Sequence, residues 1–277
     1  MSTGNGPASA GISWGAGSEV LCRAPLCAPP FPAEWLDRVA EQLSGRQPDY
    51  LVLHHLEPDH AGSAGAFLEK YPDATVVGNA KTFTMLSKYY AYDDSRTVTV
   101  KEGDTLSLGG HVLTFVMAPM VHWPEVMVSY ESSEKILFSA DGFGTFGALS
   151  ANRPWIEGAA RYYFNIVGKY GASVQALLKK AAGLDIQTIC PLHGPVLRED
   201  LGYYIGKYDQ WSRYEPEEPG AVLVAYASIH GNTAQAARKM AEILEKKGCA
   251  KVITMDLCRP WIVWTVSQME TSFMASR

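Results

Sequence analysis

The segment His55-Leu-Glu57-Pro-Asp59-His60 places four strong metal-ligand side chains within six residues. It comes just after Tyr50-Leu-Val-Leu53, a short apolar run that predicts a buried strand. His55, Glu57 and Asp59 are spaced by two residues, so an extended chain would direct all three side chains to one side. His60 could then turn toward a second metal. A strand end followed by such a loop predicts a metal site at one edge of a sheet.

Three further ligand types lie farther along the chain, each just past a predicted strand. They are His122 in Met-Val-His-Trp-Pro, Asp141 in Phe-Ser-Ala-Asp-Gly-Phe-Gly, and His193 in Cys-Pro-Leu-His-Gly-Pro. Glycine beside Asp141 and His193 suits tight loops in which the backbone approaches a site. The whole set offers four imidazoles and three carboxylates, which is the right size for two metals that share a bridging ligand.

The chemistry of this set narrows the choice of metal. Hard oxygen donors suit iron or manganese, and Glu57 favours iron. A zinc hydrolase needs a histidine-rich site with an open position for water, and it could use the same residues. None of the seven candidate ligands is a cysteine, which argues against an iron–sulfur cluster at these positions. His54 would point away from His55, so we expect it to pack within the sheet.

Short strands and helices alternate along most of the chain. Apolar residues at helical spacing predict a helix over Pro32–Leu43. From Thr97 onward, glycine turns separate a run of short predicted strands. Mixed strands with flanking helices predict an α/β (α+β) fold in which layered sheets lie between helices.

The composition divides the chain into four predicted regions. Residues 1–30 are rich in Gly, Ala, Ser and Pro, which predicts a disordered tail. Residues 31–210 would form the metal domain, and the Pro- and Glu-containing residues 211–220 would form a linker. Residues 221–277 open with a strand, a helix and a second strand, which is the start of a doubly wound fold.

The loop between that strand and helix is a candidate phosphate site. Backbone N–H groups at a helix N-terminus, together with Ser and Thr hydroxyls, can cradle a phosphate. The same string could also be a plain turn and helix cap. The candidate cofactor-binding residues are Ser228, Ile229, His230, Gly231, Asn232 and Thr233.

Charge and cysteine content exclude several classes of protein. The 277 residues include 24 basic and 29 acidic side chains, for a net charge of −5, so we expect no nucleic-acid partner. No stretch approaches the roughly 20 apolar residues of a membrane span, and the first residues lack a secretory pattern. The five cysteines form no CxxC pair, which favours a protein of the reducing cytoplasm.

Four strings, in this order, resemble the flavodiiron proteins, also called A-type flavoproteins. They are His55-Leu-Glu-Pro-Asp-His60, His122-Trp-Pro124, Phe138-Ser-Ala-Asp-Gly-Phe-Gly144 and Pro191-Leu-His-Gly194. The resemblance covers roughly residues 32–258. It implies a metallo-β-lactamase-like αββα sandwich followed by the start of a flavodoxin-like doubly wound domain. The loop at residues 228–233 is similar to the FMN-phosphate loop of flavodoxins.

The resemblance also implies a ligand set, a reaction and partners. One iron would be held by His55, Glu57 and His122, and the other by Asp59, His60 and His193. Asp141 would be the bridging carboxylate. Electrons would pass from a rubredoxin-like donor through FMN to the two non-haem irons. Nitric oxide would there be reduced to N₂O, or dioxygen to water. The FMN would come from the partner subunit of a head-to-tail homodimer.

The chain departs from the family pattern at both ends. Residues 221–277 supply about two of the five strands of a flavodoxin-like domain, and the family's early strands have no counterpart in residues 1–30. We therefore expect a flavodiiron protein that is truncated at both ends. Two other functions stay open: a di-metal zinc hydrolase of the metallo-β-lactamase fold, and a non-catalytic di-iron module that senses O₂ or NO.

Overall fold

The computed structural model describes residues 32–89, 92–146 and 154–258, and the backbone of two earlier strands. The first of two large sheets has the order β1-β2-β3-β4-β5. Its first two strands are antiparallel, and the other neighbours run parallel. The strands are β1 (Ser13–Ala16), β2 (Glu19–Arg23), β3 (Tyr50–Val52), β4 (Thr75–Gly78) and β5 (Thr97–Thr99).

The second sheet has the order β10-β9-β8-β7-β6. Its neighbours are antiparallel except β9 and β10, which run parallel. The strands are β6 (Thr105–Ser107), β7 (Val112–Met117), β8 (Met127–Glu131), β9 (Ile136–Phe138) and β10 (Thr188–Cys190). Because two reversals restore the direction, β7, β9 and β10 have their carboxyl ends at the same edge.

Helices cover the outer faces of both sheets. They are α1 (Pro32–Leu43), α2 (Pro58–Ala61), α3 (Ala64–Lys70), α4 (Ala80–Leu86), α5 (Trp155–Tyr162), α6 (Gly171–Ala181) and α7 (Leu201–Ser212). Alternate side chains of β3 show the layering, since Leu51 packs with residues of α1 and α3 while Val52 packs with residues of the second sheet. A third core lies between the second sheet and α5, α6 and α7. The predicted αββα sandwich is confirmed.

The prediction of a disordered tail over residues 1–30 is wrong for two segments. Strands β1 and β2 lie within it, and Leu21–Arg23 pairs in parallel with Tyr50–Val52 of β3. The strands that we expected to be missing are therefore present in the first sheet. Composition did not reveal β2 because it pairs with β3, which is distant in sequence, and β1 in turn pairs with β2. The other residues of the predicted tail lie outside the described residues.

A strand–helix–strand unit follows, as predicted. Strands β11 (Ala221–Tyr226) and β12 (Lys251–Asp256) are parallel neighbours, and α8 (Asn232–Lys246) connects them. This is the expected start of a doubly wound fold. The rest of the predicted flavin-binding region, from residue 259, lies outside the described residues. Within the described ranges, no helix combines the length and apolar character needed to cross a bilayer.

A buried carboxylate stabilises the turn after β8. Glu131 accepts hydrogen bonds from Ser133 Oγ at 2.5 Å, from Ser133 N at 3.0 Å and from Glu134 N at 2.6 Å. Its Oε1 also lies 3.3 Å from His111 Nδ1. Burial would raise the pKa of Glu131, but these hydrogen bonds outweigh burial and lower the pKa below 4.5.

We predict that Glu131→Gln lowers the free energy of unfolding at pH 7 by about 2 kcal/mol, because hydrogen bonds to a charged acceptor are lost. A carboxyl group whose pKa is lower in the folded state than in the unfolded state stabilises the protein at pH values above its unfolded-state pKa. This contribution is lost as the pH falls through the folded-state pKa. The variant should therefore lose less stability than the wild type below pH 4.5. Urea unfolding across this pH range measures both effects. Glu134→Gln is the matched control, since Glu134 contributes its backbone N–H here; equal behaviour of the two variants would contradict the prediction.

Candidate metal centre

Four side chains converge to form a first group of ligand atoms. His55, Glu57, His122 and Asp141 each offer one atom, and these atoms lie within 4.8 Å of one another. Glu57 Oε2 is 3.0 Å from His122 Nε2 and 3.3 Å from His55 Nε2. Asp141 Oδ2 is 3.3 Å from His122 Nε2 and 3.7 Å from His55 Nε2. This spacing is suited to four donors around one ion.

Asp59, His60 and His193 form a second group, whose ligand atoms are also within 4.8 Å of one another. His193 Nε2 lies 3.4 Å from Asp59 Oδ2, and His60 Nε2 lies 3.5 Å from Asp59 Oδ1. Asp141 Oδ1 faces this group, at 2.9 Å from His60 Nε2 and 3.7 Å from His193 Nε2. Asp141 therefore presents one carboxylate oxygen to each group.

The structure brings together all seven predicted ligands, but one sequence argument about them is wrong. The spacing of two predicted that His55, Glu57 and Asp59 would share one side of an extended chain. The chain instead becomes helical at Pro58, the first residue of α2, and Asp59 belongs to the second group. The resulting division is the one that the family resemblance implies. His54 packs in the sheet as predicted, with its Nε2 2.8 Å from Ser129 Oγ.

The backbone of the loop around Asp141 is strained. Ala140 has φ +50° and Phe143 has φ +66°, so two non-glycine residues near Asp141 adopt the left-handed region. Such conformations persist where the surrounding structure enforces them, often at functional sites. Gly194, next to His193, has φ +82°, and a Cβ there would lie 2.9 Å from the carbonyl oxygen of Thr145. Glycine is thus required where these two loops approach each other.

Glu125 is a functional residue that sequence reasoning missed. Its buried Oε1 lies 2.8 Å from His55 Nδ1 and accepts a hydrogen bond from Leu56 N at 2.9 Å. When His55 Nδ1 donates to this carboxylate, His55 Nε2 is directed into the first group, which is the usual support of a metal-binding histidine. The one feature of the sequence that could have indicated this role is its position, since Glu125 lies three residues after His122 and just before a strand.

Tyr162 was also missed, because it lies on α5, a helix that the sequence analysis did not predict. Its hydroxyl donates a hydrogen bond to Asp141 Oδ2 at 2.9 Å. Burial raises the pKa of Tyr162 far above its usual value, so the hydroxyl keeps its proton at neutral pH. Aromatic rings also cover the histidines: Trp123 contacts His55 edge-on at 5.2 Å between ring centroids, and Phe146 lies 4.4 Å from His193.

The protonation equilibria favour ionised carboxylates in this cluster. Burial would raise the pKa of Asp141, but the adjacent imidazoles of His122 and His60 outweigh burial and hold the pKa well below the usual value. Hydrogen bonds with His122 and His55 lower the pKa of Glu57 to about 2. Burial alone would lower the pKa of His55, yet the carboxylates of Glu125 and Glu57 raise it to about 9. The carboxylates therefore supply negative charge that a proton on His55 partly offsets and that a bound cation would offset in its place.

Several polar atoms fit a bound metal better than a hydrogen-bond network. Asp59 Oδ1, His60 Nε2 and Asp141 Oδ1 are buried, and none of them makes a hydrogen bond of good geometry within the described residues, although the last two atoms lie 2.9 Å apart. Leaving such atoms unsatisfied destabilises a fold, whereas coordination of an ion would satisfy all three. The donors are imidazoles and carboxylates, a set that suits iron, manganese or zinc.

Comparison with known proteins identifies the family. A family model described as "ODP family beta lactamase" matches residues 25–194. The chain belongs to the ODP family of β-lactamase-like proteins. A nitric oxide reductase of Moorella thermoacetica is 33% identical to this ODP-family chain over 229 residues, which are 79% of this chain and 57% of that protein.

Solved structures agree with this assignment. The ODP-family chain resembles rubredoxin oxygen:oxidoreductase from Desulfovibrio gigas with a TM-score of 0.82 and 29% identity, over 92% of this chain and 65% of that one. It resembles the flavodiiron protein from Giardia intestinalis with a TM-score of 0.80 and 28% identity, over 91% of this chain and 62% of that one. These findings confirm the resemblance to flavodiiron proteins. The chain spans little more than half the length of the reductase from Moorella and under two thirds of the two solved chains.

None of the six candidate cofactor residues of the ODP-family chain belongs to either ligand group. They occupy the loop after β11 and the first turn of α8, where Gly231 has φ +85° and open space around its Cα. Ile229 and His230 are exposed. The helix N-terminus and the hydroxyls of Ser228 and Thr233 fit a phosphate group in their chemistry.

We predict that Glu125→Gln weakens metal binding about 10- to 100-fold, because the residue that orients His55 loses its charge while all seven ligands remain. Competition between the purified protein and a chromophoric chelator for Zn²⁺ measures the dissociation constant. Glu41→Gln, on the exposed face of α1, is the control and should bind as the wild type does. A dissociation constant for Glu125→Gln within twofold of the control would show that the contact does not support the metal.

Proposed function

We propose that this ODP-family protein is a flavodiiron-type oxidoreductase that reduces nitric oxide or dioxygen at a non-haem di-iron centre with electrons from FMN. The observation that carries the proposal is the position of Asp141, which presents one oxygen to each of two histidine- and carboxylate-containing groups. Support comes from the relatives described above, a nitric oxide reductase and a rubredoxin oxygen:oxidoreductase.

The chain supplies a complete set of seven ligands for this function. One iron would be held by the first group, the other by the second, with the carboxylate of Asp141 between them. When bound, two irons of this kind supply electrons and open coordination positions to a diatomic gas. The ligand residues are His55, Glu57 and His122; Asp59, His60 and His193; and Asp141.

The side chains around the ligands position and shield them. Tyr162 donates a hydrogen bond to Asp141 and so fixes which carboxylate oxygen faces each group. Trp123 and Phe146 cover histidines and exclude water from their rings. The Glu57 and Asp59 side chains are 35% and 34% exposed, which leaves the centre open to solvent on one side. Electrons and protons would enter through that open side.

The remaining parts of the proposal concern electron supply. The loop from Ser228 to Thr233 would bind the phosphate of FMN, with backbone N–H groups of α8 as donors. A rubredoxin-like protein would reduce the flavin, in the cytoplasm. A head-to-tail homodimer would place the flavin of one subunit at the metal centre of the other.

The test combines metal content with gas consumption. Protein expressed with iron should contain about two irons per chain by mass spectrometry, and with reduced FMN as donor it should consume NO or O₂ over many turnovers. His122→Asn should lose iron and lower consumption at least 100-fold. His111→Asn, which removes a histidine outside both groups, should retain both properties.

Other outcomes would identify the competing functions. Two zincs per chain, absence of iron even after iron-supplemented expression, and ester hydrolysis without flavin would establish a zinc hydrolase instead. Two irons that are oxidised once by O₂, without sustained consumption, would indicate a sensor module. Either result would refute the proposed reductase.

A further inference from the structure

A largely apolar cavity of about 500 Å³ lies between the second sheet and helices α6 and α7. Its volume exceeds the roughly 150 Å³ of apolar protein cavities that remain dry and take up xenon or benzene. The lining includes one residue from each of three strands, two from α6 and one from α7: Val116, Val128, Leu137, Val174, Leu178 and Ile205.

The inner wall of this cavity belongs to the loops that carry predicted metal ligands. Val121 immediately precedes His122, and Gly142 immediately follows Asp141. Ser139 also lines the cavity, but its hydroxyl donates a hydrogen bond to the carbonyl oxygen of Gly142 at 2.7 Å. The cavity therefore borders the loops that carry His122 and Asp141, and the hydroxyl of Ser139 is already bonded.

The charged residues of the lining do not make the cavity polar. Lys179 is exposed on α6. Asp209 accepts a hydrogen bond from Gln175 Nε2 at 2.9 Å and pairs with Arg213 at 2.7 Å. The outer wall includes the partly buried Leu177, so a small uncharged molecule would meet apolar surface from the outside inward.

The surroundings of the metal centre thus differ between its two sides. On one side the partly exposed carboxylates of Glu57 and Asp59 meet solvent. On the other side the cavity reaches the loop of Asp141, whose side chain is only 2% exposed. Protons and a polar electron donor suit the first environment. Molecules that water solvates poorly suit the second, because an apolar cavity favours them over water.

We propose that this cavity binds uncharged diatomic gases and supplies them to the metal centre from its buried side. The identity of the gas, O₂ or NO, rests on the proposed function. The occupancy of the cavity does not, because it depends on the size and apolar character of the lining. The consequence is an apolar gas reservoir beside the loops that carry His122 and Asp141.

Occupancy can be tested without turnover, with xenon and O₂ as probes. Crystals under xenon pressure should show a xenon atom between α6 and the second sheet. Dissolved O₂ should enhance the relaxation of the methyl protons of Val174 and Leu178 in NMR spectra at least threefold more than that of exposed methyl groups. No xenon in the cavity, or relaxation no faster than at the surface, would overturn the proposal.

Supply can be tested by filling the cavity with a ring. Val174→Phe should exclude xenon and lower kcat/KM for the gas at least threefold, with iron content and maximal rate unchanged. Leu177→Phe at the outer wall should act in the same direction and serves if Val174→Phe fails to fold. Ala176→Phe adds the same ring to the exposed face of α6 and should behave as the wild type.

The outcomes separate the two proposals. Loss of xenon in Val174→Phe or Leu177→Phe with kcat/KM unchanged would overturn the supply role. A wild-type protein that consumes neither gas would refute the proposed function, while the xenon and relaxation measurements would still decide whether the cavity binds gases.

Discussion

The carboxylate of Asp141 lies between two groups of imidazoles and carboxylates, and its two oxygens face opposite groups. A carboxylate that is 2% exposed is stable only when neighbouring positive charge compensates for its lost hydration. His55 and His122, whose pKa values are raised, supply positive charge on one side. The histidines of both groups reach Asp141 from the loops after β3, β7 and β10. The arrangement of the sandwich therefore follows from one requirement: several strand ends must meet around Asp141.

The topology satisfies this requirement. Strands β7, β9 and β10 share a direction, so the loops that carry His122, Asp141 and His193 leave the same edge of the second sheet. The loop after β3 is attached to that sheet by the hydrogen bond from Met127 N to His54 O at 3.1 Å. Apolar packing between the sheets then fixes the distance between the two halves of the centre. Backbone strain at Ala140 and Phe143 is tolerated because the surrounding packing holds the loop.

The parts of this structure that depend on local pattern were predictable from the sequence. The helix over Pro32–Leu43 and the strand–helix–strand unit from residue 221 follow from periodicity, and ligand types after strands identified all seven residues of the two groups. Strand β2 was missed because its partner, β3, is remote in sequence. Helices α5 and α7 were missed as well. Glu125 and Tyr162 were also missed, because they act through contacts with His55 and Asp141 that only the folded chain creates.

The most direct test of the shared carboxylate is X-ray absorption at the iron K-edge of the iron-loaded protein. Two irons on opposite oxygens of Asp141 predict an iron–iron scattering shell at roughly 3.5–4 Å, together with first-shell nitrogen and oxygen ligands and no sulfur. A spectrum that shows nitrogen and oxygen ligands but no iron–iron shell, from protein with two irons per chain, would contradict a di-iron centre built around this carboxylate.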